Sequence, residues 1–263
     1  MSNVMLLAWQ RSILFKFLLR LTARERTRRS NRQFGGILAF VAGAINAGGF
    51  LAVQRYTSHM TGIVSAIADD LVVGSIGLAL AGLVSLAAFI GGAITTTLLI
   101  SWARRQELRS KYALALLLEA ALLLMFGLVG ANLNSFATLL VPTAVLLLCF
   151  IMGLQNAIIT KISNAEIRTT HMTGVITDLG IELGRLIYWN QSQKANSIQF
   201  VEANTDKLFI HATLLGLFFS GGIFGAVAFK AMGFSATLPI ALLLVAMALP
   251  AIALDLRKIA RSL

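Results

Sequence analysis

Residues 57–71 read TSHMTGIVSAIADDL and residues 169–183 read TTHMTGVITDLGIEL, so the chain carries one polar motif twice. Aligned without a gap, the two stretches share Thr57/Thr169, His59/His171, Met60/Met172, Thr61/Thr173, Gly62/Gly174 and Leu71/Leu183. An apolar segment precedes each copy and carries Asn46-Ala47 in one case and Asn156-Ala157 in the other. A duplication with a period of about 110 residues, each copy beginning with a membrane-length helix, is typical of membrane proteins built from internal repeats.

The composition predicts an integral membrane protein. Of the 263 residues, 57% are hydrophobic and only 13% are charged, whereas soluble domains carry about 25% charged residues. The mean hydropathy is +0.82. The single cysteine, Cys149, excludes a disulfide framework within one chain.

The hydropathy pattern predicts an all-α membrane protein with about six transmembrane helices. Each predicted span is long enough to cross the hydrocarbon core, which takes roughly 20 residues. The spans are 34–54, 74–102, 112–130, 139–160, 208–229 and 235–254. The sequences FIGGAI and FSGGIF lie at matching places in the second span of each half, which pairs Gly91-Gly92 with Gly221-Gly222.

The two HMTG segments are too short and too polar to be ordinary spans. We predict that each is a broken or re-entrant half-helix, because such pieces are tolerated at membrane depth only where protein or a cavity surrounds them. If both crossed the membrane, the chain would have eight spans and parallel repeats. The basic loop 103–111 would then lie outside, against the preference for cytoplasmic positive charge.

Basic residues set the predicted orientation. The net charge is +11, and eight of the 22 lysines and arginines fall in the first 32 positions. Residues 1–33 therefore predict a basic, amphipathic cytoplasmic or interfacial segment that contacts anionic lipid headgroups. Further basic residues lie in 103–111, in 161–168 and at the end of the chain, which predicts cytoplasmic N- and C-termini.

An odd number of spans in each repeat has a topological consequence. Transmembrane repeat 1, residues 34–130, and transmembrane repeat 2, residues 131–256, each hold three predicted spans. The two repeats must then be inserted in opposite directions, which is the inverted-repeat architecture of many secondary transporters.

Polar residues in apolar surroundings mark the predicted binding site, whose members are Asn46, His59, Thr61, Asn156, His171 and Thr173. The histidines stand where the half-helices begin, and a helix start offers unpaired N–H groups and a partial positive charge. In one alternative, the hydroxyl groups of the motif accept hydrogen bonds from these backbone N–H groups and cap the helix. In the other, the N–H groups bind an anionic ligand together with Thr61 and Thr173. For the two asparagines, we expect a hydrogen bond to the unwound backbone of the neighbouring HMTG segment.

Three carboxylates predict proton coupling. Asp178 and Glu182 follow His171 at spacings that place all three on one helical face, and Glu119 stands alone in an apolar span. The structural alternative for Glu119 is a buried acid paired with His211. Ionisable residues inside membrane segments usually serve transport or proton transfer. We expect no metal site and no cofactor, since the sequence has no His-Glu-x-x-His motif and no cysteine cluster.

The run Met60-Thr61-Gly62, echoed at Met172-Thr173-Gly174, follows a G-x-x-N-A span and precedes F-x-G-G. This pattern resembles the YoaK family of bacterial inner-membrane proteins over roughly residues 35–254. Many members of that family have Asn after the glycine, where this chain has Ile63 and Val175. The resemblance implies a helical, multi-pass protein of the bacterial inner (cytoplasmic) membrane, often described as a permease, and it supplies no substrate.

Two hypotheses of function follow. The first is a small secondary transporter or permease with a midplane site formed by the two HMTG half-helices, coupled to protons and acting as a homodimer. The second is a non-transporting membrane scaffold or lipid-binding protein recruited by its basic N-terminus. An intramembrane hydrolase built on His171, Asp178 and Glu182 ranks last, and we expect no enzyme. No P-loop and no nucleophile-elbow motif is present, and the basic charge is read as lipid contact rather than nucleic-acid binding.

Overall fold

The computed structural model describes residues 13–22, 27–54, 56–133, 136–163, 169–188 and 201–262. Within these ranges the chain forms nine α-helices and no strand. They are α1 (Ile13–Thr22), α2 (Arg28–Val53), α3 (Met60–Val72), α4 (Ile76–Arg105), α5 (Ala113–Ala131), α6 (Ala137–Ser163), α7 (Met172–Ile187), α8 (Thr205–Met232) and α9 (Thr237–Ser262). A short 3-10 helix, Gly233–Ala236, joins α8 to α9.

The six apolar segments of the sequence all became helices, namely α2, α4, α5, α6, α8 and α9. Five stretches of the described chain are long and apolar enough to cross a membrane, and the fifth, Thr205–Lys258, covers α8 and all but the last turn of α9. The chain therefore has the helices of a multi-pass membrane protein. Helix α1 lies within the predicted amphipathic segment, whose residues before Ile13 fall outside the described ranges.

Each HMTG motif begins a short helix, as predicted. Helix α3 has 13 residues and α7 has 16. At a rise of 1.5 Å per residue they are about 20 and 24 Å long. Both are shorter than the hydrocarbon thickness of about 30 Å.

Four of the long helices pack in two pairs, which we call crossed because each pair joins a helix of one half of the sequence to a helix of the other half. Helix α2 packs along α8, and α6 packs along α4. Each short helix lies on the long helix that follows it, α3 on α4 and α7 on α8. The first long helix of each half therefore packs on a helix of the other half and not on the next long helix of its own half.

Glycines bring α2 and α8 into backbone contact. A methyl group added at Gly43 would collide with the carbonyl oxygen of Phe218, and one added at Gly221 would collide with that of Phe40. Lipid tails are as apolar as leucine, so helices in a membrane gain little from hydrophobic burial against each other and associate through close packing. These glycines supply that close packing.

The same contacts recur between α6 and α4. Here Gly153 faces the carbonyl oxygen of Phe89, and Gly92 faces that of Phe150. Gly92 is therefore the counterpart of Gly221, and the pairing of Gly91-Gly92 with Gly221-Gly222 is wrong by one residue. A sequence alignment cannot show which glycine of an adjacent pair faces the partner helix. The structure shows it, because a methyl group added at only one glycine of each pair would collide with a backbone carbonyl of that helix.

The direction of the helices follows from successive contacts. Gly92 faces Phe150, and one turn later the Thr96 hydroxyl donates a hydrogen bond to the carbonyl oxygen of Leu154 over 3.0 Å. Helices α4 and α6 therefore run parallel. Helices α2 and α8 also run parallel, because Gly221 faces Phe40 and, one turn later, Gly225 faces Ala44. In contrast, the start of α2 meets the end of α6, where the Asn31 amide donates to the carbonyl oxygen of Ile162 over 3.4 Å.

Most of the described basic residues gather at the end of the molecule where α2 and α8 begin. Arg32 and Asp206 approach to 3.8 Å there. Near the end of α9, Asp255 accepts hydrogen bonds from the backbone N–H groups of Arg109 and Ser110, over 3.0 and 2.7 Å, in the turn after α4. We call this face the basic end.

A glycine substitution tests the crossed packing. Gly153→Ala should lower the midpoint of thermal unfolding of the detergent-solubilised protein, because the added methyl group has no room against the Phe89 carbonyl. Overpacking of this kind costs about 1–3 kcal/mol, which should lower the midpoint by several degrees. Gly216→Ala in α8 is the matched control, since nothing lies within 4 Å of its added methyl group. Equal midpoints for the two variants would contradict the packing.

Candidate functional site

Two asparagines hold the HMTG motifs against the long helices. The Ser58 hydroxyl donates to the side-chain oxygen of Asn46 over 2.7 Å, and the Thr170 hydroxyl donates to that of Asn156, also over 2.7 Å. The predicted partner segment is correct, but the bonding group is a side-chain hydroxyl rather than the backbone. Both motifs have a hydroxyl residue immediately before the histidine, which is the sequence signal for this contact.

The histidines stand at the starts of the short helices and leave them uncapped. His59 and His171 are the N-cap residues of α3 and α7, and neither side chain accepts a hydrogen bond from the first turn. The motif hydroxyls of Ser58 and Thr170 are used by the asparagines instead. Unpaired N–H groups and the positive end of each helix dipole therefore remain at both helix starts.

The motif glycines make room for the histidine rings. A methyl group added at Gly62 would lie 2.8 Å from Nδ1 of His59, and one added at Gly174 would collide with the ring of His171. Each imidazole thus folds back over the first turn of its own helix. Glycine three residues after the histidine is what permits this position.

Both motifs line one cavity of about 620 Å³, which we call the motif cavity. Its wall includes the starts of α3 and α7, part of α6 and one residue of α4. The lining residues are Ser58, His59, Met60, Thr61, Phe89, Asn156, Thr160, Thr170, His171, Met172, Thr173, Gly174, Thr177 and Asp178. The two repeated stretches, distant in the chain, meet at this cavity.

Five of the six predicted binding residues line the motif cavity. The sixth, Asn46, does not line it, and its side chain instead holds Ser58, which does. The cavity surface therefore combines two imidazoles, several hydroxyls, an amide and two uncapped helix starts. These groups can donate and accept hydrogen bonds, and the helix starts favour negative charge.

Asp178 is the predicted coupling carboxylate that reaches the motif cavity. Its Oδ2 lies 3.7 Å from Nε2 of His211 in α8. The structural alternative, in which Glu119 pairs with His211, is therefore wrong. Glu119 is completely buried in α5, and neither of its carboxylate oxygens has a hydrogen-bond partner among the described residues.

Glu182 lies away from the motif cavity. It is buried, it bonds to Arg185 over 3.0 Å, and it accepts a hydrogen bond of 2.7 Å from the backbone N–H of Asn204. These contacts join α7 to the start of α8. Among the described residues, no group of three His, Cys, Asp or Glu side chains is placed to hold a metal ion.

The sequence reasoning missed several lining residues. Thr160 follows Asn156 by one helical turn and so shares its face, and Thr177 follows Thr173 by the same spacing. Those two spacings were a usable signal. No sequence signal pointed to Phe89, which reaches the cavity because Gly153 brings α4 close to α6.

Fold and cavity together define a helical multi-pass membrane protein with a polar cavity at the meeting of two repeated motifs. Residues 34–249 match the family described as "Protein of unknown function (DUF1275)", and the chain belongs to that family. This is the family that the Met-Thr-Gly pattern resembles. No curated protein and no solved structure gives a significant match.

Proposed function

We propose that this protein is a small secondary transporter, or permease, whose solute binds in the motif cavity. The observation that carries the proposal is that both HMTG segments line that one cavity. Secondary transporters commonly bind their solute where internal repeats meet, between broken helices whose ends face the site. The lining is polar and the surrounding helices are apolar, as solute transfer through a membrane requires.

We propose further that the two halves form an inverted duplication, and several contacts support it. The contact of Gly43 with Phe218 corresponds to that of Gly153 with Phe89, and each half has its own asparagine tether to the motif. The start of α2 meets the end of α6, so these two corresponding helices run in opposite directions. With α8 and α9 counted separately, six spans in two inverted repeats account for these contacts.

The charge distribution supports a cytoplasmic basic end. Arg28 and Arg32 of α2, Lys207 of α8 and the Arg104-Arg105 pair that ends α4 all lie toward it. Positive residues beside spans are enriched on the cytoplasmic side. We therefore place both termini in the cytoplasm of a bacterial cell, with α1 at the membrane surface in contact with anionic headgroups.

Asp178 and Glu119 are the proposed proton carriers. Asp178 borders the motif cavity beside a titratable partner, His211, and Glu119 is buried without a hydrogen-bond partner among the described residues. Ionisable residues inside membrane segments commonly serve proton transfer. We assign Glu182 to joining α7 and α8.

Coupling predicts that solute uptake acidifies proteoliposomes carrying the parent protein, as read by an internal pH dye, and not those carrying Glu119→Gln. Equal acidification in both would rule out this role for Glu119.

A ligand screen tests the motif cavity. Purified protein is heated in detergent with a library of small metabolites and ions. A solute of the cavity should raise the unfolding midpoint of the parent, since a ligand at 100 times its Kd stabilises a folded protein by about 2.7 kcal/mol. The His59→Ala/His171→Ala variant should lose that rise, because both removed imidazoles line the cavity.

Two glycine variants supply the matched controls. Gly174→Ala should lose the ligand response as the histidine variant does, because the added methyl group displaces the His171 ring. Gly180→Ala lies in the same helix, meets nothing within 4 Å and should keep the response. A response retained by all three variants would place the solute elsewhere. If no compound stabilised the parent while the histidine variant melted lower, the motifs would be structural and the scaffold hypothesis would take precedence.

A further inference from the structure

A second cavity, of about 440 Å³, opens at the basic end. Its wall combines the first two turns of α2 and α8 with Asn204 and with Asp178 of α7. The lining residues are Arg28, Asn31, Arg32, Asp178, Asn204, Asp206, Lys207, Ile210 and His211. We call it the vestibule. Because Asp178 lines both this cavity and the motif cavity, the two cavities adjoin at that residue.

The acids of the vestibule are already engaged. Asp178 faces His211 at 3.7 Å, and Asp206 faces Arg32 at 3.8 Å. Arg28 and Lys207 make no ion pair with any described residue. With His211 neutral, three cations (Arg28, Arg32 and Lys207) face two carboxylates (Asp178 and Asp206), so an anion entering the vestibule would meet a net positive charge.

The positive ends of two helix dipoles lie beside these cations and repel them. Arg28 is the first residue of α2 and Lys207 is the third of α8, and the start of a helix favours negative charge. Two cations and two positive helix ends thus converge on one cavity. A bound anion would be attracted by the two cations and by the two helix ends, and it would reduce the repulsion between the cations and the helix ends.

The duplication does not account for the basic lining. With Gly43 paired to Gly153 and Phe89 to Phe218, Arg28 and Arg32 correspond to Thr138 and Pro142. By the same correspondence Lys207 and His211 match Leu78 and Gly82, so the opposite end of the molecule is uncharged at these four positions. The preference for cytoplasmic positive charge explains why cations lie at this end. It does not explain why unpaired ones line a cavity that adjoins the motif cavity.

We propose that the vestibule binds an oxyanion, a phosphate or carboxylate group, and that Arg28 and Lys207 are its charged ligands, with the side-chain amide of Asn204 in the same wall. The route from there to the motif cavity passes Asp178 and His211. The identification of this oxyanion with the transported solute rests on the proposed function, and it means that the solute is an anion. The same chemistry also fits an anionic lipid headgroup, so the experiment separates the two sources.

The test compares the unfolding midpoint of the full chain in neutral detergent with inorganic phosphate and with chloride at equal ionic strength. Phosphate should raise the midpoint of the parent by about 3 °C over chloride. Arg28→Gln/Lys207→Gln should lose most of that rise. Arg104→Gln/Lys230→Gln, an equal change in net charge at exposed cations outside the vestibule, should keep it. The single variant Arg28→Gln, expected to lose part of the rise, serves if the double variant does not fold.

A second arm replaces phosphate by phosphatidylglycerol, with phosphatidylcholine as its neutral counterpart. A rise with free phosphate that depends on Arg28 and Lys207 supports the soluble anion. A rise that appears only with phosphatidylglycerol, and depends on the same residues, supports the oxyanion site with a lipid as its occupant. Equal rises in the parent and both double variants, or none, would overturn the proposal.

The histidine variant keeps the two proposals apart. His59→Ala/His171→Ala leaves the vestibule intact, so it should retain the phosphate rise even where it loses the response to a solute of the motif cavity. Failure of the vestibule alone would leave the permease proposal standing. Failure of the motif cavity alone would leave an oxyanion site on a protein that does not transport.

Discussion

The close approach of helix backbones at Gly43 and Gly153 is the contact on which the rest of the structure depends. In water, apolar side chains would drive helices together, but in lipid that driving force is largely absent and packing must replace it. The glycines allow each helix to rest on a carbonyl oxygen of its partner, Phe218 in one pair and Phe89 in the other. This contact fixes which helices are neighbours, and the position of the cavity follows from it.

The site is built on these pairs in short steps. The asparagine of each first helix lies almost one turn beyond the glycine contact and binds the hydroxyl of the motif that follows. That hydrogen bond places the histidine at the start of a short helix, and the motif glycine lets its ring fold over the first turn. Because the pairs are crossed, two such helix starts reach the same cavity. A polar cavity with two positive helix ends then results from packing and one hydrogen bond on each side.

Much of this fold could be predicted, since six apolar segments and two short polar ones have clear signals of length and hydropathy. Which helices pair could not, because nothing in the periodicity of α2 favours α8 over α4 as its partner. The one-residue error at Gly92 and Gly221 has the same cause. The motif residues of the site were predicted because they are repeated. The alternative that pairs His211 with Glu119 is wrong because the packing of α7 on α8 brings His211 to Asp178 instead, and nothing in the sequence indicates that packing.

The central claim, that both motifs line one cavity, is tested most directly by cross-linking. In a Cys149→Ala background, Thr61→Cys and Thr173→Cys place one thiol at the start of each short helix. A short bis-maleimide should join them within a single chain, as shown by the linked peptides in mass spectra of the monomer band. Val73→Cys with Thr173→Cys is the control, since Val73 is exposed beyond the far end of α3, and this pair should not be joined. Failure of the first pair, or links formed only between two copies, would contradict the account.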